Sequence, residues 1–177
     1  MLIMVHSVIT KGNLEDWRKH VDSKRSVRDQ FTDGGCMAFT SNNQIIGYTD
    51  VHNWDGLLAH LQEPAEREHQ KKYGEIAKVY RLHEDLPETD DFKAFGHFTF
   101  SNLSATEWIE VWMRDEKRLS SNELFAVVDE QNVIAFFDIR GGTKAIAQHV
   151  ARPEIKTHIE QCQETVKAWR MEEFHAW

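Results

Sequence analysis

Only two cysteines and three prolines occur in the 177 residues. Cys36 and Cys162 stand at unlike places in the internal repeat described below, so no disulfide framework is expected. The opening MLIMVHSVIT has no basic leader and no small-residue cleavage site, and its apolar run ends at Thr10-Lys11. That run is too short for a signal core or a membrane span. It reads as a strand of a mature protein, with free thiols in a reducing cytoplasm. Basic residues are in deficit: 21 Lys and Arg face 29 Asp and Glu, for a net charge of −8. Nucleic-acid phosphates and anionic membranes, which select clustered cations, are therefore not expected partners. A Gly-rich phosphate loop is missing too, because Gly34-Gly35 and Gly141-Gly142 lack the flanking pattern with Lys-Ser or Lys-Thr. Neither HExxH, CxxC nor His-x-His occurs. What remains is a chain 41% hydrophobic and 11% aromatic, the composition of a packed globular protein able to bury roughly 70% of its unfolded surface.

Its dominant feature is a repeat. Residues 60–84, HLQEPAEREHQKKYGEIAKVYRLHE, reappear at 149–173 as HVARPEIKTHIEQCQETVKAWRMEE. His60/His149, Pro64/Pro153, His69/His158, Glu75/Glu164, Lys78/Lys167, Arg81/Arg170 and Glu84/Glu173 all stand 89 residues apart. His6/His97, Asn13/Ser104 and Trp17/Trp108 extend the match at an offset of 91, and Ala38/Ala126, Ile46/Ile134 and Asp50/Asp138 at 88. The chain is thus a tandem duplication, with repeats 1–85 and 92–177 and an acidic linker at 86–91. The second copy has lost three residues after its first helix, a change expected in a loop.

Each copy gives the same order of elements. An apolar strand (2–10) precedes a helix capped by Asn13 in copy one and by the box Ser104-Ala-Thr-Glu107 in copy two. Two strands follow, at 35–40 and 44–51 or at 124–129 and 132–139, joined by turns at Ser41-Asn42-Asn43 and Glu130-Gln131. A helix (54–62 or 143–151) is cut by Pro64 or Pro153 before a short helical turn, and a last strand runs 76–82 or 165–174. This β-α-β-β-α-β order is the ferredoxin-like split motif, helices on one face of a four-stranded antiparallel sheet. Both phases of the strands are apolar, so the second face needs cover, most simply the other copy's sheet. The expected fold is α+β: two βαββαβ repeats forming a pseudo-dimeric, antiparallel eight-stranded barrel.

The first-strand motifs Met4-Val-His6-Ser-Val and Phe95-Gly-His97-Phe-Thr, with a helix ending in His60 or His149 followed by proline and then His69 or His158, carry a resemblance. The chain resembles the dimeric α+β barrel superfamily, which includes the antibiotic-biosynthesis-monooxygenase-like and stress-responsive A/B barrel families. That resemblance implies a small-molecule pocket, with cofactor-independent oxygenation, cyclisation or isomerisation among the activities. It also implies that a first-strand histidine, His6 or His97, serves as catalytic acid or base.

On the residues themselves, an imidazole in an apolar strand can move protons near neutral pH, or it can simply bond the backbone as a core residue. Arg81 and Arg170 offer bidentate forks to a carboxylate ligand, or form surface ion pairs. His60 and His149 sit in a last helical turn, where they can bond carbonyls or line a ligand site. Nine residues separate His60 from His69 and His149 from His158, too many for a helical metal pair, so neither metal nor cofactor is expected. Haem would need an axial His60, His69 or His6 at an open cleft. Trp17 and Trp108 stand at core spacing. The alternative to an enzyme is a binding or assembly module of the same fold, able to pair again. The discriminator is divergence between the copies: Ser7 against Phe98 and Gly47 against Ala135 leave copy one roomier.

Overall fold

The computed structural model describes residues 1–40, 42–115, 117–120 and 122–176; Ser41, assigned above to the first hairpin turn, lies outside them. Eight strands form a closed antiparallel barrel, and the fold class is α+β with two βαββαβ repeats, as the sequence implies. The chain divides into two compact units. Unit 1 is Met1–Arg81 with Glu173–Trp177, and unit 2 is Leu82–Glu172.

Unit 1 runs β1 (Leu2–Ile9), α1 (Leu14–Ser23), α2 (Arg25–Arg28), β2 (Thr32–Phe39), β3 (Gln44–Val51), α3 (Trp54–Leu61), α4 (Pro64–Tyr73) and β4 (Glu75–His83). Strand order is β2-β3-β1-β4. Pairing puts Ile3, Val5 and Ser7 beside Thr49, Gly47 and Ile45 of β3 and beside Arg81, Val79 and Ala77 of β4. Cross-strand partners share a sheet face, so this phase forms one face, and the helices cover it. Trp17 packs there with Ile9, Ile45 and Tyr73, and Leu57 with Ile3, Val51 and Val79. Met4, His6 and Val8 take the opposite face, where Met4 and Ile46 are completely buried. Both faces are buried, as the doubly apolar strands require.

Unit 2 repeats the plan with β5 (Phe92–Thr99), α5 (Ala105–Arg114), β6 (Glu123–Asp129), β7 (Asn132–Ile139), α6 (Gly142–Val150), α7 (Pro153–Cys162) and β8 (Thr165–Ala176), whose last residues belong to unit 1. Its helix-covered face is densely aromatic: Trp108, 1% exposed, packs with Phe100, Val133 and Cys162 and against Phe98, Trp112 and Phe125.

Local signals act as the sequence specifies. Asn13 Oδ1 accepts from the Glu15 N–H at 2.7 Å, and Ser104 with Glu107 closes a capping box. Two expectations are corrected. Pro64 and Pro153 open full ten-residue helices instead of a short turn, because proline at the first helical position surrenders an N–H that has no helical partner anyway. The three extra residues of copy one are not in a loop. They form the bulged start of β2, where register shifts between Asp33 and Cys36 and Gly34 and Gly35 take φ of +60° and +93°. Left-handed glycines let a strand absorb extra residues. At Gly35 nothing larger fits, since a Cβ would run into the Tyr48 carbonyl oxygen.

Candidate functional site

Between the sheet and the helices of unit 1 lies a cavity of about 540 Å³. Ile3, Val5, Ile45 and Val79 give it an apolar floor, Trp17 and Leu57 part of its roof, and Lys24, Arg28 and the Gly34-Gly35 bulge further wall. A volume of several hundred Å³ is that of a small-molecule site.

Glu75 is a titratable group built into this cavity. It opens β4 just after Gly74, whose left-handed φ of +54° ends α4 and turns the chain back onto the sheet. Pairing opposite Ile9 brings its carboxylate diagonally beside Ser7. Ser7 Oγ donates to Oε1 at 2.9 Å, and the Trp17 indole N–H donates to Oε2 at 3.0 Å. Burial pushes its pKa above the usual carboxylate range and nearby Glu66 adds to the rise; the two neutral donors offset only part of it. Such a carboxylate is oriented, desolvated and more basic than one in water, which suits it to proton transfer.

A second cluster adjoins it. His20 and His69 stack with centroids 3.6 Å apart, and His20 Nε2 lies 3.3 Å from Oε2 of buried Glu66. Lys24 Nζ is 3.7 Å from Oε1 of Glu66, an ion pair too long for a hydrogen bond. Burial, then His20, holds the His69 pKa down at about 4, so the ring is neutral near pH 7. Arg28 is half-buried, and among the described residues its guanidinium makes no hydrogen bond or ion pair. Desolvation is the main cause lowering its pKa. A desolvated cation without a bonded counter-charge is a seat for an anionic ligand group.

Unit 2 keeps the carboxylate and its indole and fills the rest. Trp108 Nε1 donates to Glu164 Oε2 at 2.8 Å, and burial again raises the carboxyl pKa. Phe98 stands in place of Ser7, Leu119 of Arg28, Ile155 of Glu66 and Val111 of His20. Phe98 packs on Trp108 at 4.8 Å and on Phe137 at 5.8 Å between centroids, and the remaining cavity is about 160 Å³. The divergence expected from Ser7/Phe98 and Gly47/Ala135 is present, with copy one the roomier.

Of the residues singled out from sequence, His60 and His149 line the two cavities. His60 is buried, stacked on Phe31 and 3.3 Å from Glu63. His149 Nε2 is 3.5 Å from Asp115, which Arg152 grips through its two terminal guanidinium nitrogens. His6 and His97 belong to the sheet face turned away from the helix-covered cavities, where their Nε2 atoms meet Gln44 at 2.7 Å and Asn132 at 3.2 Å. Periodicity could not select the phase, because both were apolar. Arg81 lies over the Phe174 ring at 4.5 Å, and Arg170 forks onto Asp85 at 3.0 and 3.2 Å. Sequence reasoning missed Glu75. Its signal was there: a tryptophan and a glutamate retained together in both copies, Trp17 with Glu75 and Trp108 with Glu164.

No family model matches the chain, and no curated protein does. Among solved structures the chain is similar to two named as putative monooxygenases. One is from Lactobacillus acidophilus NCFM, with 7% identity, 99% of this chain and 94% of that one covered and a TM-score of 0.37. The other is from Fusobacterium nucleatum subsp. nucleatum ATCC 25586, with 10% identity, 99% and 93% covered and a TM-score of 0.35. It is also similar to an anthrone oxidase-like protein, with 11% identity, 99% and 92% covered and a TM-score of 0.32.

Proposed function

We propose that unit 1 is the working half of a small-molecule enzyme in which Glu75 is the general base. The observation that carries this is a half-buried carboxylate with one neutral donor on each oxygen, lining a cavity of about 540 Å³. The apolar floor takes a hydrophobic or aromatic body, and Arg28 takes an acidic group or the charge that develops during reaction. Glu75 removes a proton from a carbon or oxygen acid next to a carbonyl and can return it elsewhere on the same molecule. That step is common to cofactor-independent oxygenation, cyclisation and isomerisation. Ser7 and Trp17 position the carboxylate throughout, and the His69 ring beside it is neutral near pH 7.

The test is exchange of the hydrogens next to the carbonyl in a panel of aromatic keto acids, followed by NMR in deuterated water. Catalysed exchange is expected, falling about 10²–10⁴-fold in Glu75→Gln and unchanged in Glu164→Gln. Compounds that bind without exchanging return the protein to the binding-module reading, and catalysed exchange indifferent to Glu75→Gln overturns the assignment of Glu75 as the base.

A further inference from the structure

In unit 2 three ligand-type side chains converge at the junction of α7 and β8. His158 and Cys162 are four residues apart on α7 and so share one helix face, with His158 Nε2 and Cys162 Sγ 4.0 Å apart. Gln163, at a left-handed φ of +50°, turns the chain so that Glu164 arrives beside them. One donor atom from each of the three lies within 4.8 Å of the other two. Cys162 is buried, while His158 and Glu164 are half-buried.

We propose that His158, Cys162 and Glu164 form a binding site for a zinc-class divalent cation. One imidazole, one thiolate and one carboxylate make a borderline-soft set suited to zinc. Bond lengths of about 2.0–2.3 Å put tetrahedral ligand pairs about 3.3–3.7 Å apart, so closure asks for side-chain adjustments of about 1 Å. The Trp108 indole N–H already holds Glu164, the kind of supporting hydrogen bond that orients metal ligands. The trio is specific to this copy, since Tyr73 and Gly74 stand in unit 1 where unit 2 has Cys162 and Gln163. On binding, the Cys162 thiol gives its proton to water and no electron moves. Water takes the fourth position, and the ion fastens the end of α7 to the start of β8. Neither the repeat nor a known metal motif marks this spacing in the sequence, because the thiol belongs to one copy alone.

The test is titration of the chelator-treated, full-length protein with cobalt(II), read by the near-ultraviolet thiolate-to-cobalt charge-transfer band and by displacement with zinc. The expected result is one saturable equivalent per chain. The band should be absent in Cys162→Ser, intact in Cys36→Ser, and shifted to at least about tenfold higher cobalt in His158→Ala and Glu164→Gln. Far-ultraviolet circular dichroism verifies the fold of each variant. Should Cys162→Ser not fold, the His158→Ala shift decides. No saturable band, a band that survives Cys162→Ser in the folded protein, or an unshifted His158→Ala titration overturns the proposal.

Discussion

The two units share a scaffold and differ in what it encloses. Both place an indole N–H on a half-buried glutamate at the start of a last strand, both end a helix in a cavity-lining histidine, and both open the next helix on proline. Yet one encloses about 540 Å³ and the other about 160 Å³. A handful of side chains and a three-residue bulge account for the difference. The shared residues build and orient the carboxylate, whereas the divergent ones, Ser7 against Phe98 and Arg28 against Leu119, set whether a ligand can reach it. Two units on one plan let one keep a hole while the other fills it, and filling is favourable because apolar voids forfeit packing.

The largest effect should come from making unit 1 resemble unit 2. Ser7→Phe combined with Gly47→Ala is expected to abolish binding of anilinonaphthalene sulfonate, an aromatic anion, while leaving the circular dichroism spectrum intact; retained fluorescence enhancement would place the probe elsewhere. Next, Trp108→Ala should cost about 3–5 kcal/mol in denaturant unfolding. Trp17→Ala should cost less, since Trp17 borders open space and Trp108 touches four aromatic rings within 6.0 Å. Equal losses would mean that the cavity wall is packed as tightly as the core.

A smaller effect is linkage to pH. His69 is held at about 4, below the 6.5 of a free imidazole. The unfolded chain therefore binds a proton that the folded chain refuses, and stability present above pH 6.5 is lost as pH falls toward 4. Urea midpoints across that window should fall less steeply in His69→Gln than in the wild type; parallel slopes would assign the acid sensitivity to His149 and His158, whose values burial also lowers. The smallest effect is at the end of α7. Gln163→Gly, copying Gly74 of unit 1, should raise stability by about 0.5–1 kcal/mol, because a left-handed residue with a side chain is strained. Loss of the Ser101-to-Gln163 hydrogen bond of 3.1 Å works against the gain, so a decrease would show that this bond outweighs the strain.

Much of this fold was legible in the sequence. The offsets of 91, 88 and 89 located the repeat and its one length change, and β3 and β7 begin and end where apolar periodicity and turn residues place them. The site was legible only in part. The repeat marks both pairs of histidines alike: His60 and His149 line the cavities, whereas His6 and His97 lie on the sheet face turned away from them. In a sheet buried on both faces, alternation carries no information about which phase meets the helices; that is set by strand pairing, Ile3 with Thr49 and Arg81. Glu75 was hidden for a related reason. A glutamate heading a strand reads as solvated, and only the approach of Trp17, 58 residues away, shows otherwise.

The bulge in β2 has one more consequence. Gly34 and Gly35 border the cavity with backbone alone, and Gly35 admits no side chain. The outline of that part of the rim is therefore written in main-chain torsions and owes nothing to rotamers. Side-chain substitutions nearby can retune charge and greasiness without moving it, whereas deleting the three extra residues would redraw the aperture at once. The rim and the carboxylate are thus separately variable: a change in strand length alters the first, and a single codon at Glu75 alters the second.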